Sequence, residues 1–435
     1  GNQHYYVVVN PKPIVTFNPA TQTICSGSST TPNAISSSTP NTTISWTCTP
    51  PSGISGAQSS GTGSTIPAQT LVNSTSAPIT VYYVAEAVTS VGLCPGKKDS
   101  AAVIVNPIPL AIANPISDTI CSATSTNIAL TSDVTGATFT WSSVLGDSIS
   151  LVPTTGSGVT ISQTLTNNGT DLDSVVYTIT PRANNCDGLP IDVTVYVQPI
   201  PKVTFSAPNQ VLCDSSTTSA ITLSSTVSNV VYSWSLNANG ITGFTTTSGA
   251  GTIPSETIYL PANSTNTVTA TYSAHASIGG CPGPDSLYKV TLFPIPRVIG
   301  STQQIICSDT SSAVVNWSNN VNAGLSVSYN WNIINSATTT LTGFLPTTSG
   351  YGLLPSWLLN NPTANNDTLF IQVTPYTHPT ATDSCEGIPF IYQIVVNPSP
   401  QVDLSAANDT ICSGDASQVV TLSSATNNAI ITWTA

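Results

Sequence analysis

The sequence predicts an all-β chain built from tandem β-sandwich repeats. Only 6% of its 435 residues are charged, and Ser, Thr and β-branched residues fill much of the chain, a bias that favours strands over helices. Its 33 Pro and 28 Gly are spread along the whole length as turn residues. One ordered set of short motifs returns about every 95 residues, which indicates a repeat architecture.

Each repeat begins with a pair of prolines after an apolar strand. The copies are VNPKP at 9–13, VNPIP at 105–109, VQPIP at 197–201, LFPIP at 292–296 and VNPSP at 396–400. Proline fixes φ and biases the residue before it towards extended conformations, so a short proline linker acts as a stiff spacer. We therefore expect the repeats to be arranged as an extended rod.

The proline pairs divide the chain into repeats. Residues 1–10 are predicted to end a preceding repeat, and 398–435 to start a further one. The complete repeats are 11–106, 107–198, 199–293 and 294–397, of which the last is the longest and most divergent. We expect the sequence to be an internal stretch of a longer protein.

A tryptophan recurs on an alternating strand in each repeat. Around Trp46, for example, Thr42, Ile44 and Cys48 share its face, and a period of two predicts a strand with one buried face. A large aromatic residue on a middle strand, covered by a second sheet, is typical of immunoglobulin-like sandwiches. The predicted core residues are Trp46, Trp141, Trp234, Trp331 and Trp433. A Gly-x-Gly motif follows in each complete repeat and is interpreted as a turn.

Two cysteines recur at fixed places. The first is Cys25, Cys121, Cys213, Cys307 or Cys412, and the second, in a Cys-x-Gly turn, is Cys94, Cys186, Cys281 or Cys385. Repeated pairs suggest disulfides and an oxidising, extracellular compartment. We predict bonds within repeats: Cys25–Cys94, Cys121–Cys186, Cys213–Cys281 and Cys307–Cys385, with Cys412 bonded to a residue outside the segment.

Two other interpretations of the cysteines stay open. Each could be a buried free thiol, although the two appear together in every complete repeat. A zinc site is less favoured, because no repeat offers four ligands and His4, His275 and His378 do not cluster. Cys48, on the buried face beside Trp46, is expected to be a small apolar filler.

Composition excludes several classes of function. The net charge is -12 with seven Lys and Arg, so no cationic cluster is available for nucleic acid or an anionic membrane surface. No apolar run is long enough for membrane insertion. Only three Glu are present, each in a different repeat, and no calcium-loop pattern appears. We therefore predict no catalytic residues, no metal site and no cofactor, and hence no enzyme.

The order of motifs resembles the PKD-like repeats of giant Bacteroidetes surface proteins, including SprB-like gliding adhesins and other filamentous adhesins. Residues 107–198 carry it most completely, with DTICSATSTNIALTSDVTGATFTWSS, GSGVTISQTLTN, VVYTITP and CDGLPIDVTVYV. The resemblance implies type IX secretion and display on the cell surface, in association with the outer membrane. It also implies a stalk role in gliding motility or attachment. Expected partners are neighbouring repeats and other copies in a filament, while the motifs fix no surface or glycan ligand.

The same resemblance implies O-glycosylation at Asp followed by Ser or Thr and then a small or aliphatic residue. Alternatively, these pairs mark only strand entries and turns. The candidate acceptors are Ser100, Thr119, Ser148, Ser174, Ser286, Thr368 and Thr410.

Three functional hypotheses follow. The first is a structural stalk or filament segment of a secreted adhesin. The second is a self-assembling extracellular fibre or sheath in which one repeat completes the fold of the next. The third is a carbohydrate-binding array of a secreted enzyme, which needs exposed aromatic residues. Only Trp317 and Trp357 are candidates for that role.

Overall fold

The computed structural model describes residues 3–434, and their regular secondary structure consists of β-strands alone. Each sheet draws its strands from one repeat, so we refer to the first (11–106), second (107–198), third (199–293) and fourth (294–397) repeats and to the partial repeat (398–434). Within this described range no helix is long and apolar enough to cross a bilayer.

The first two repeats have closely similar strands. Those of the first repeat are β1 (Val15–Asn18), β2 (Thr21–Cys25), β3 (Asn33–Ser37), β4 (Thr42–Cys48), β5 (Ile54–Ser55), β6 (Ser60–Thr62), β7 (Thr65–Ile66), β8 (Val72–Asn73), β9 (Ile79–Thr89) and β10 (Asp99–Asn106). Those of the second are β11 (Ala111–Asn114), β12 (Ser117–Cys121), β13 (Thr124–Ser125), β14 (Ile128–Ser132), β15 (Thr138–Leu145), β16 (Ile149–Ser150), β17 (Thr155–Ser157), β18 (Thr160–Ile161), β19 (Thr164–Asn167), β20 (Asp173–Ala183), β21 (Cys186–Asp187) and β22 (Ile191–Gln198).

The later repeats keep the long strands and shorten the others. Those of the third repeat are β23 (Thr204–Phe205), β24 (Gln210–Cys213), β25 (Leu223–Ser224), β26 (Val231–Asn237), β27 (Ser248–Gly249), β28 (Val268–Ile278), β29 (Cys281–Pro282) and β30 (Ser286–Phe293). Those of the fourth are β31 (Val298–Ile299), β32 (Gln303–Cys307), β33 (Thr310–Ser311), β34 (Ser318–Asn319), β35 (Val327–Ile333), β36 (Ser349–Tyr351), β37 (Leu358–Leu359), β38 (Asp367–Thr377), β39 (Cys385–Glu386) and β40 (Phe390–Asn397). The partial repeat has β41 (Asp403–Leu404) and β42 (Leu422–Ser423).

A large sheet of the same topology occurs in all four complete repeats. Its strand orders are β2-β10-β9-β4-β6, β12-β22-β20-β15-β17, β24-β30-β28-β26-β27 and β32-β40-β38-β35-β36. The edge strand that carries the first cysteine, here called the cysteine strand (β2, β12, β24, β32), runs parallel to the last strand of its repeat (β10, β22, β30, β40). The remaining pairings in this sheet with a defined register are antiparallel, as between β10 and β9.

A smaller sheet covers the large one. In the first repeat it has the order β1-β3-β7, and in the second β11-β14-β18. Val15 and Ile35 of the small sheet share one core with Trp46, Val81 and Val103 of the large sheet. Two packed sheets with a central tryptophan define an immunoglobulin-like sandwich. The predicted fold class, tandem sandwiches in an all-β chain, is confirmed.

The recurrent tryptophan lies at the centre of each complete sandwich. Trp46 is 2% exposed and meets the ring of Tyr83 edge to face at 6.0 Å, and Trp141 meets Tyr177 in the same way at 5.8 Å. Trp234 and Trp331 are likewise buried. These contacts place the largest side chain of the strand against the longest neighbouring strand of the sheet, where apolar burial stabilises the repeat.

Trp433 differs from the other four because it is 74% exposed. In residues 398–434 the paired strands are β41 and β42, and no strand is assigned to residues 430–434. This part of the repeat supplies no sheet to cover the indole, so the core position of Trp433 stays a prediction.

The first glycine of each Gly-x-Gly motif is fixed by this tryptophan. Gly156 lies directly opposite Trp141 in the ladder between β15 and β17. A Cβ at Gly156 would lie 2.1 Å from Cζ2 of the indole, closer than any contact a real methyl group makes. The same opposition recurs at Trp46 and Gly61, Trp234 and Gly249, and Trp331 and Gly350. The first glycine of the motif therefore leaves space for the indole ring, a role that the interpretation of the motif as a turn missed.

A buried polar network joins the cysteine strand to the last strand. In the second repeat, Ser122 Oγ accepts the backbone N–H of Asn167 at 2.9 Å. The side-chain amide of Asn167 donates to the carbonyls of Val197 and Asp171, each at 2.8 Å. The first and fourth repeats repeat the arrangement with Ser26 and Asn73, and with Ser308 and Asn361. This network explains the Ser after the first cysteine and a Leu-x-Asn motif, which occurs at 71–73, 165–167 and 359–361.

The chain also divides into two compact units. One runs to Pro201 and includes Thr226–Val230 and Ser277–Gly283, and the other contains Lys202–Ser225, Val231–Ala276 and the chain from Pro284 onward. The division passes through the third repeat, so units and repeats do not coincide.

We predict that Gly156→Ala destabilises the second repeat by about 1–3 kcal/mol, because the added methyl must displace the indole or the edge strand. Hydrogen exchange resolved by peptide should then become roughly 10- to 100-fold faster in β15 and β20 and stay unchanged in the fourth repeat. Ser157→Ala, at an exposed neighbour on the same strand, is the matched control. Equal effects of the two substitutions would contradict the steric role of the glycine.

We also predict that Asn167→Ala costs about 1–3 kcal/mol, because it leaves buried carbonyls without a donor. The expected readout is faster hydrogen exchange in β22 and at Ser122. Asn168→Ala removes the same amide from an exposed position one residue later, where its partner is Ser150, and should have little effect. A stable Asn167→Ala protein would show that the network is dispensable.

Candidate functional site: the bridged junctions

The first cysteine of a repeat lies at the end where the chain leaves that repeat. In the parallel ladders Cys25 is the partner of Asn106, and Cys121 the partner of Gln198. Cys213 is similarly the partner of Phe293, and Cys307 of Asn397. Because each of these partners ends the last strand, the first cysteine stands beside the proline linker to the next repeat.

The second cysteine lies at the opposite end of the same repeat. It belongs to the turn before the last strand, which we call the cysteine hairpin. In the second repeat Cys186 begins β21, and β22 then runs eight residues from Ile191 to Gln198. At about 3.3 Å per residue the two ends of the strand are roughly 25 Å apart. A disulfide requires Cα atoms within about 7 Å, so the two cysteines of one repeat cannot bond.

The observed bonds join successive repeats. Cys25–Cys186, Cys121–Cys281 and Cys213–Cys385 have Cα–Cα distances of 5.6, 5.5 and 5.5 Å. The predicted pairs Cys25–Cys94, Cys121–Cys186, Cys213–Cys281 and Cys307–Cys385 are therefore wrong. In each observed bond the first cysteine of one repeat binds the hairpin cysteine of the next. Cys94, Cys307 and Cys412 carry free thiols, and the predicted partner of Cys412 lies outside the sequence.

Further contacts surround the bond between the first two repeats. The side-chain amide of Asn106 donates to the carbonyl of Asn184 in the cysteine hairpin, at 2.9 Å. Asn184 and Asn185 have positive φ, which asparagine tolerates, and they form the tip of that hairpin. The Asn of the VNPIP linker motif thus binds the loop that carries Cys186.

The glycine of Cys-x-Gly is fixed by the proline linker. A Cβ at Gly188 would lie 2.0 Å from the carbonyl oxygen of Pro109, the second linker proline. Gly387 has the same relation to Pro296, at 2.3 Å. In the fourth repeat the N–H of Ile388 donates to the carbonyl of Pro296 at 3.1 Å. The linker is thus packed onto the cysteine hairpin.

The junction around Cys213–Cys385 has a second point of attachment. Asn322 of the fourth repeat donates its N–H to the carbonyl of Thr265 at 2.9 Å, and its side-chain amide to Asn266 Oδ1 at 2.7 Å. The Thr377 hydroxyl, which is fully buried, donates to the carbonyl of Pro294. The two contacts of Asn322 restrain the same two repeats that the disulfide joins, and the Thr377 contact holds the linker.

Cys48 is a buried free thiol, as its position beside Trp46 predicts. It is 5% exposed, and burial raises the pKa of its thiol. A protonated thiol in an apolar core is a poor nucleophile.

One serine, histidine and aspartate come together on the third repeat. Ser233 Oγ lies 2.9 Å from Nε2 of His275, whose Nδ1 lies 3.7 Å from Asp285 Oδ1. The imidazole and the carboxylate are 47% and 67% exposed, and 3.7 Å is too long for a hydrogen bond. In a catalytic triad a buried aspartate orients the imidazole. We interpret this group as a surface hydrogen bond. In residues 3–434 no three His, Cys, Asp or Glu side chains form a group suited to a metal ion.

The two extra tryptophans of the fourth repeat are not platforms for sugars, in contrast to the sequence hypothesis. Trp317 and Trp357 are each 8% exposed. Trp317 packs against Tyr392 at 5.5 Å and donates its Nε1–H to the carbonyl of Gly352, and Trp357 packs against Trp331. Both fill the larger core of this repeat.

The predicted glycan acceptors divide by exposure. Ser100, Thr119 and Thr410 are exposed, while Ser148, Ser174, Ser286 and Thr368 are half-buried. In several copies the aspartate carboxylate accepts the N–H of the residue after it, as Asp118 does from Thr119 at 2.8 Å. The tripeptide therefore has a local structural role, and glycosylation stays a prediction.

These features define a class of protein: a tandem array of immunoglobulin-like sandwiches in which disulfides connect consecutive repeats. A PKD-like domain profile matches residues 22–109, 118–201 and 304–400. The chain belongs to the PKD-like domain family. Its disulfides and its PKD-like repeats indicate a secreted or extracellular protein.

Solved structures of cadherin-type extracellular domains and of titin Ig domains show only distant likeness. The protocadherin gammaB4 extracellular domain is 14% identical over 93% of this chain and 72% of its own, with a TM-score of 0.28. Titin domains I67–I69, in an E-to-A variant, are 13% identical over 66% and 99%, with a TM-score of 0.34. Mouse cadherin-23 EC22–24 is 16% identical over 66% and 99%, with a TM-score of 0.31. No curated protein sequence matches the chain significantly.

We predict that non-reducing peptide mapping finds Cys25–Cys186, Cys121–Cys281 and Cys213–Cys385. Pepsin at low pH suits this experiment, because the chain has only seven Lys and Arg and acid suppresses thiol exchange. In the folded 435-residue segment a maleimide should label the exposed Cys307 and Cys412. Cys48 should react only after unfolding, since it is buried and its pKa is raised. Recovery of any within-repeat peptide pair would refute the junction assignment.

Proposed function

We propose that this chain is a stalk segment of a secreted cell-surface adhesin. The chain is a structural extracellular repeat protein, and its function as a stalk is carried by one observation: each observed disulfide joins two repeats and none closes a single repeat. A bond placed at the junction does little for one sandwich alone, but it restrains the arrangement of the two repeats that it joins.

The recurrent chemistry supports a structural function. The tryptophans of the complete repeats and the extra pair in the fourth repeat are buried in the cores of their sandwiches. The six bonded cysteines, the linker asparagine and the Cys-x-Gly glycine are engaged at junctions. We therefore propose a segment without catalytic activity, which separates an adhesive region from its anchor.

The cellular setting is part of the same proposal. The motif order resembles that of surface adhesins exported by the type IX system, and we infer export by that route to the outer surface. There the stalk would serve gliding motility or attachment. Sugars on Ser100, Thr119 or Thr410 would add solvated bulk to a surface that has few charges. Intact mass above the 44.8 kDa of the polypeptide would support this modification.

The proposal predicts that the segment sets the length of the surface fibre and does not affect ligand binding by the adhesive region. In-frame removal of the second and third repeats from the native gene should shorten the surface fibre seen by electron microscopy, while isolated adhesive regions keep their binding. Immunogold labelling with an antibody to this segment should decorate the outside of intact cells. An intracellular label, or loss of attachment without a change in fibre length, would contradict the stalk function.

A further inference from the structure

We infer that the three disulfides form a covalent path that carries tension past most of the chain. The bonds span 161, 160 and 172 residues and are interlaced. Cys121 lies between Cys25 and Cys186, and Cys213 lies between Cys121 and Cys281. The inference rests on the proposed stalk function for its biological sense, since a stalk is a part that experiences load.

Force applied at the two ends follows the shortest covalent route. That route runs to Cys25, crosses to Cys186, continues to Cys213, crosses to Cys385 and goes on from there. It contains roughly 100 residues, so at about 3.5 Å per residue its full extension is on the order of 350 Å. The same chain without disulfides could extend to roughly 1,500 Å.

Most of each sandwich lies off this route. Residues 26–185 and 214–384 are bypassed, and they contain the tryptophan strands β4, β15, β26 and β35. Unfolding of a bypassed segment adds no length between the ends. The array can therefore lose local structure under load without becoming much longer.

The strands that do carry load are well placed to resist it. Force enters the second repeat at Cys186 and leaves through the linker after Gln198, so it acts along β22. That strand is hydrogen-bonded on both sides, to β20 and to β12. Both neighbours lie in bypassed segments that carry no load, so the tension passes along a strand that is already extended and does not shear its ladders. In the fourth repeat β40 is bounded by Cys385 and the next linker and is paired in the same way with β38 and β32.

Single-molecule stretching of the chain, attached at its two ends by enzymatic tags, tests the inference. The oxidised protein should reach a contour length of about 350 Å, and the protein under reductant about 1,500 Å. Reduction under constant force should lengthen the molecule in discrete steps. An oxidised chain that extends as far as the reduced one would overturn the inference.

Paired serine variants provide a matched control. Opening an outer bond, in C25S/C186S or in C213S/C385S, should add about 500 Å to the oxidised contour length, because the shortest route then runs through Cys121–Cys281. C121S/C281S removes the middle bond, which lies off the original route, and should leave the length unchanged. Equal lengthening in all three variants would contradict the path.

The stretching experiment is independent of cells. A short oxidised contour length in a chain that is absent from the cell surface would refute the stalk function and leave the covalent path standing. A long oxidised contour length in a surface-exposed fibre would refute the covalent path and leave the stalk function standing. If a serine variant fails to fold, stepwise reduction of the unsubstituted protein still decides the question.

Discussion

The parallel pairing of the cysteine strand with the last strand is the constraint on which the rest of the molecule depends. Strands that run in the same direction end at the same edge of a sheet. Cys25, the last residue of β2, therefore lies beside Asn106, and Cys121, the last residue of β12, lies beside Gln198. An antiparallel edge strand would put the same cysteine at the other end of the repeat, near its own hairpin cysteine. The direction of one short strand therefore decides whether a bond stays inside a repeat or leaves it.

The recurring motifs then have separate physical roles. The first glycine of Gly-x-Gly leaves space for the indole ring. The Ser after the first cysteine and the Asn of Leu-x-Asn form buried hydrogen bonds that join the cysteine strand to the last strand. Asn-Pro-x-Pro and Cys-x-Gly act across the boundary between two repeats. Core and junction are built from different residues, so the geometry of a junction need not change when the core does. The fourth repeat shows this, with a core enlarged by Trp317 and Trp357 and a junction like the others.

The sandwich class followed from the sequence because alternation, turn residues and a fixed period report local structure directly. Cysteine pairing did not, because every complete repeat carries one first and one second cysteine, a pattern that fits bonds within repeats and bonds between them. The choice depends on the pairing of β12 with β22, strands about 70 residues apart in the chain, and no local pattern encodes it. The alternation around Trp433 likewise indicates only which face is apolar, because burial also needs a second sheet.

The offset bond also affects how such an array can evolve. Every complete repeat presents a cysteine at its exit and another in its entry hairpin, so one kind of junction serves each neighbouring pair. If recombination removed the second repeat as a whole, Cys25 would meet Cys281 in the place of Cys186. Loss or duplication of whole repeats therefore preserves the pairing rule, whereas a break within a repeat leaves unmatched thiols. Selection can alter the number of repeats and leave the chemistry of each joint as it was.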